Sequence, residues 1–213
     1  FDSVLNLSSY SGSDLNSFSV SNESDILTEI GMFEKIEPKF SLQNLSPGTY
    51  SADVNIVFSN RPNNNGTITG TAQVYNVPSG NINVPSDIPY IQTALELASE
   101  GHTITVAAGT YFEDLYLSYG KQNVTLKSES GPNQTILDGS QSWKDRFIDI
   151  NSGNFVLDGF TVQDHTGTYA IRGYDAPGST YKNLILKNNR EYMFSRSTVE
   201  NCLFTKNYGN LRV

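Results

Sequence analysis

Three groups of residues have the types and spacing to do chemistry. Asp164, His165 and Arg172, within "QDHTGTYAIRG", bring together a carboxylate, an imidazole and a guanidinium. Such a set can abstract a proton and neutralise the charge that develops. Lys144, Arg146 and Asp175 are further outward candidates at coil turns, where solvated polar residues are also ordinary. Asp138, Asp149 and Asp158 supply the carboxylates that inverting glycoside cleavage needs on one face, although Asp149 and Asp158 alternate with apolar positions as surface residues do. The third group is "GSQSWKDRF", which holds the single tryptophan, Trp143, beside Lys144, Asp145 and Arg146. An indole face with polar neighbours suits stacking on a sugar or contact with a protein. The other reading of Trp143 is a lid folded back over a sheet. Tyr174, with Asp175 and Tyr181 of "YDAPGSTY", extends the same binding face.

Composition narrows the partners. The 213 residues carry a net charge of −8, so counterion release gives no affinity for nucleic acid. An anionic polysaccharide needs a local basic cleft or a bridging calcium ion, and nothing else suggests calcium. His102 and His165 lack companions at metal-ligand spacing, so no metal or cofactor is expected. The one cysteine, Cys202, excludes an internal disulfide. No apolar run approaches the roughly 18 residues of a membrane span. Abundant Asn, Ser, Thr, Gly and Tyr with little Lys suit an extracellular or cell-surface β-protein. A start at Phe1 reads as a mature product or an excised fragment.

The elements that position these residues fall into two parts. Residues 1–77 contain alternating runs such as "SVLNLSSY", "KFSLQ" and "YSADVNIVFSN", with "RPNNNG" as a hairpin loop. They predict an antiparallel sandwich. Residues 78–86, with two prolines, read as a linker. A helix follows, capped by Ser86 or Asp87, with Ile91, Ala94, Leu95 and Ala98 as its apolar stripe and Gly101 as its stop.

Beyond the helix the strands repeat. "GFTVQDH", "NLILKNN" and "NCLFTKN" superimpose without gaps, 24 and 18 residues apart. Phe160, Leu184 and Cys202 share one column, and Val162, Leu186 and Phe204 the next. "NVTLKSE" is placed in the same columns through Val124 and Leu126. Asn189 and Asn207 stack at a turn, and "FIDI", "YAIRGY", "YMFSR" and "NLRV" form a second strand family. Offsets of this size predict a parallel β-solenoid in which each strand pairs with the next coil. The step from Val124 to Phe160 is longer, and its excess lies near Gly139–Phe147.

Two resemblances add to this reading. "LSPGTYSADVNIVFSN" resembles the closing strands of bacterial immunoglobulin-like modules. "IQTALELASEGHTITVAAGTYFEDLYL" with "NVTLKSESGPNQTILDG" resembles the entry coils of right-handed parallel β-helix proteins of the pectin-lyase-like superfamily, over about 60% of the chain. That superfamily includes polysaccharide lyases, glycoside hydrolases, esterases, tailspikes and adhesins. Gly109, Tyr111 and Glu113 match the Gly-x-Tyr-x-Glu of pectin methylesterases. The paired-aspartate and Arg-Pro-Trp segments of those enzymes are missing here, which argues against esterase activity.

The expected architecture is all-β: an immunoglobulin-like sandwich over 1–77, a linker over 78–86, and a helix-capped right-handed parallel β-helix over 87–213. The expected role is a secreted or cell-surface structural or adhesive module. "YGNLRV" ends without a cap, which reads as chain that continues in the native protein, as a splayed end, or as a head-to-tail contact with another subunit that grows into filaments. The alternative is a truncated carbohydrate-active enzyme, polysaccharide lyase or glycoside hydrolase, or a glycan-binding module. Its catalytic candidates are Asp164, His165 and Arg172. Its binding candidates are Trp143, Lys144, Asp145, Arg146 and Tyr174. A polysaccharide or surface partner is expected, and nucleic acid is not.

Overall fold

A computed structural model describes residues 75–212 throughout and, before them, the backbone of five strands. Ser3–Ser11, Gly48–Phe58 and Gly66–Val74 pair antiparallel, as do Phe18–Val20 and Phe40–Leu42. The intervening segments, including the hairpin loop at 61–65, lie outside the described residues, and so does the test of the sandwich over 1–77. The chain divides into two compact units, Phe1–Asn76 and Val77–Val213.

The second unit is a parallel β-helix of about six turns, built from three parallel sheets. The first sheet stacks Asn81–Val84, Thr103–Val106, Thr125–Ser128, Val156–Asp158, Thr180–Lys182 and Thr198–Glu200. The second stacks Gly109–Tyr111, Thr135–Asp138, Thr161–Gln163, Ile185–Lys187 and Leu203–Thr205. The third stacks Leu115–Leu117, Arg146–Ile150, Tyr169–Gly173, Glu191–Phe194 and Leu211–Arg212. Five coils therefore give one short strand to each sheet, and Asn81–Val84 adds a sixth strand to the first sheet before the helix.

Residues alternate between the two faces of each strand, so one inward column per sheet builds the core. Ile82, Ile104, Leu126, Leu157 and Tyr181 line the first, all fully buried. Leu137, Val162, Leu186 and Phe204 stack in the second, in the predicted register. Each fully buried side chain is worth about 1.5–3 kcal/mol, and no single coil holds enough of them to fold alone. Gly173 is required where it stands, because a Cβ there would run into the Tyr181 hydroxyl.

Three expectations are corrected. Val124 and Leu126 do not share columns with Phe160 and Val162: Leu126 pairs with Leu157 in the first sheet. All three sheets use the same apolar-x-apolar pattern, so register within a sheet is legible and sheet identity is not. Residues 78–86 are not a linker, since Asn81–Val84 is the outermost strand of the first sheet. Cys202 is half-buried rather than sealed, because no further described strand covers the last coil.

The helix spans Ile91–Leu97, and its predicted stripe is buried. Neither Ser86 nor Asp87 caps it. The carboxylate of Glu113 accepts from the Ile91 N–H at 3.0 Å and the Gln92 N–H at 2.9 Å. A residue one coil later thus satisfies two N–H groups that no intrahelical carbonyl can reach. Replacing Glu113 with alanine is expected to cost about 1–2 kcal/mol in denaturant unfolding, as cap losses do.

The turns carry the asparagines. Asn183, Asn188 and Asn201 adopt positive φ, and Asp164 does so at 59°. The Asn189 amide donates to the Val162 carbonyl, and its oxygen accepts the His165 N–H at 3.0 Å. Asn207 repeats this one coil later on Leu186 and Asn189. His165 occupies the ladder position one coil before Asn189.

Candidate functional site

The site is built on the outer face of the third sheet. In "LYL", Leu115 and Leu117 point inward, and parity leaves Tyr116 46% exposed. Asp149 pairs beside Tyr116, Arg172 beside Asp149 and Met193 beside Arg172. At about 4.8 Å between strands, this outward column runs about 14 Å along the helix axis.

Charges on this column are tightly matched. Asp149 accepts from Arg172 at 2.9 Å through one oxygen and from Arg146 at 3.1 Å through the other. Arg172 also donates to the Asn151 side-chain oxygen at 3.3 Å, and its guanidinium lies 5.2 Å from the Tyr174 ring centre. Lys144 reaches the Asp114 carboxylate at 3.4 Å. An open cavity of about 320 Å³ lies among Asp114, Tyr116, Lys144, Asp145, Arg146 and Asp149.

The extra residues of this coil form the cavity's second wall. After Thr135–Asp138 the chain makes a single 3₁₀ turn, Gly139–Gln141, with the Ser140 N–H donating to Asp138 at 2.9 Å. Trp143 follows and is 89% exposed, which rules out the lid. The loop is anchored from below. The His165 ring nitrogen Nε2 lies 3.0 Å from the Lys144 carbonyl oxygen, and the ring stacks on Phe147 with 5.6 Å between centres. The Asp145 carbonyl accepts from the Tyr169 N–H at 2.8 Å. Gly139 and Gly167 make room for the imidazole, since a Cβ on Gly139 would stand 2.7 Å from His165 Cβ.

The catalytic cluster does not assemble. His165 was read as an outward base, but it is fully buried under the loop, and its Nδ1 has no partner. Burial pushes its pKa below 6.5, against the Lys144 carbonyl and the Asp114 and Asp145 charges. Asp164 sits in a left-handed turn and accepts from the Asn188 amide at 2.9 Å. Arg172 is on the third sheet, engaged with Asp149. Residues 164 and 165 are neighbours at a turn, and alternation sends them to opposite sides.

The hydrolase carboxylates are separated as well. Asp138 lies on the second sheet, Asp149 on the third and Asp158 on the first. Partial burial pushes the Asp138 carboxyl up, but hydrogen bonds from Ser140 and Gln163 and the Lys187 charge outweigh it and hold the pKa below 3.8. Such a carboxylate stays ionised and has no proton to give. Glu113 of the Gly-x-Tyr-x-Glu match is the helix cap, and the Tyr111 hydroxyl donates to the Ala107 carbonyl at 2.9 Å. Tyr181 is in the core and leaves the binding face.

The binding candidates fare differently. Lys144, Asp145 and Arg146 share one cavity, Trp143 adjoins it in the chain, and Tyr174, 52% exposed, packs on Arg172. The sequence reading passed over Tyr116, and it passed over Tyr119, which is 66% exposed and donates to Asp175 at 2.8 Å. The Leu-Tyr-Leu alternation is the sequence signal for Tyr116. Among the described residues no group of three acidic, His or Cys side chains is placed to hold a metal, and no helix is long and apolar enough to cross a membrane.

No family model matches the chain, and no curated protein matches it. Among solved structures it is similar to a mutant pectin methylesterase in complex with a hexasaccharide, at 16% identity and a TM-score of 0.44, over 62% of this chain and 50% of that one. It is also similar to pectin methylesterase PemA from Erwinia chrysanthemi, at 16% identity and a TM-score of 0.42, over 66% of this chain and 54% of that one. The chain spans about half the length of these structures. Neither comparison adds support for a filament or an adhesive role.

Proposed function

We propose that the chain is an extracellular or cell-surface glycan-binding β-helix module, with the outer face of the third sheet as its platform. The carrying observation is that Tyr116 pairs beside Asp149 and Tyr174 lies over Arg172, while the exposed Tyr119 and Trp143 stand three residues along the chain from Tyr116 and Arg146. Exposed rings present apolar faces to the C–H faces of sugars, and paired charges offer oriented donors and acceptors to hydroxyls. The column length suits an oligomer rather than one ring. Binding is favoured over catalysis because Asp149 is already held by two arginines and His165 is sealed beneath the loop.

The test is a glycan array probed with the labelled full chain, its Trp143→Ala variant and its Tyr174→Ala variant. Each substitution is expected to weaken the positive spots about tenfold, as loss of a well-placed aromatic contact does. Both leave folding untouched, because the two rings are exposed. No positive spot for the folded chain would end the reading.

A further inference from the structure

A second cavity opens beside the platform. It measures about 470 Å³ and is lined by Tyr119, Gln122, Asn151, Ser152, Asn154 and Asp175, with glycines between them. Arg172 links the two, bonded to Asp149 of the first cavity and to Asn151 of the second. Its lining is amides, hydroxyls and one carboxylate, with no cation. Ser152 is 4% exposed, yet its hydroxyl has no hydrogen-bond partner. Gly178 keeps the floor low, since a Cβ there would run into the Asn154 side-chain oxygen.

Resting on the glycan-binding reading, we propose that this cavity is a sugar-ring subsite that selects an uncharged, hydroxyl-rich ring, so that the module takes neutral rather than uronate polysaccharides. Asp175 is the one ionised group in the cavity, and it repels a sugar carboxylate. The adjoining platform offers no net compensating charge: Lys144, Arg146 and Arg172 are balanced by Asp114, Asp145 and Asp149. The net charge of −8 acts in the same direction at longer range.

The experiment is affinity electrophoresis of the full chain in gels cast with xyloglucan, mixed-linkage glucan, arabinogalactan or polygalacturonate. Asn154→Gly and Trp143→Ala variants run alongside. Asn154 has a φ of 56°, which glycine adopts without strain, so the variant removes the amide and keeps the turn. The expected result is retardation by at least one neutral polymer and none by polygalacturonate. Asn154→Gly should weaken that retardation about tenfold, the worth of one or two hydrogen bonds from the amide to the sugar. Retardation by polygalacturonate alone, or neutral binding that Asn154→Gly does not change, overturns the subsite while Trp143→Ala still reports on the platform. No retardation by any polymer overturns the underlying reading.

Discussion

Replacing His165 with alanine is expected to destabilise the β-helix by about 3 kcal/mol, within the range for emptying a large buried side chain. The ring is fully buried, stacks on Phe147 and meets the Lys144 carbonyl at 3.0 Å, so its loss opens a cavity and unties the Trp143 loop. His165→Asn should recover most of that loss, because Asn189 and Asn207 fill the same ladder position in the next two coils. Glycan binding should follow stability: lost with alanine, retained with asparagine. A solvent-facing base at His165 would instead leave the stability of both variants close to that of the wild type. Urea unfolding of the two variants separates these cases.

The same residue sets a pH dependence. Burial lowers the folded pKa of His165 below its ordinary 6.5, so the unfolded chain binds the proton more readily. Stability contributed by the neutral ring is whole above about pH 6.5 and drains as pH falls below that value. Wild-type Tm should therefore drop between pH 7.5 and 5. The drop should be smaller in His165→Asn.

The second large effect is expected at Arg172. Removing its guanidinium leaves Asp149, 7% exposed, with Arg146 alone, and leaves Asn151 without that donor. Breaking one side of such a nearly buried pair costs about 3 kcal/mol, less than a fully buried pair because Arg146 is half exposed. Tyr174 also loses the cation beneath its ring. Arg172→Ala should thus lower both the Tm and glycan affinity. Arg172→Lys restores charge but not the planar guanidinium that lies over the Tyr174 ring, so it should rescue stability in part and binding poorly. Equal rescue of both would show that only charge matters there.

Much of the β-helix was legible because its core is written as columns. Val162, Leu186 and Phe204 align at constant offsets, and each pairs with the next as that alignment implies. The errors came where a one-dimensional pattern is blind to a third dimension. Leu126 fits the same apolar-x-apolar template and belongs to another sheet. Glu113 caps a helix from one coil away, a contact that no local capping rule reveals. Asp164 and His165 look like a pair in the chain, and a turn divides them between surface and core. The loop around Trp143 was legible as an excess in coil length, and its exposure agrees with a binding surface. Tyr116 and Tyr119 were missed because aromatic residues in a β-helix are so often core.

Trp143 is the chain's only tryptophan, so its fluorescence reports on the proposed platform alone. The most direct test of the account is a titration of the folded full chain with neutral oligosaccharides of increasing length, read as Trp143 emission. Saturable quenching with a blue shift, stronger for oligomers than for single sugars and weakened by Tyr174→Ala, is the predicted result. An emission that stays at its solvent-exposed position for every sugar would contradict it.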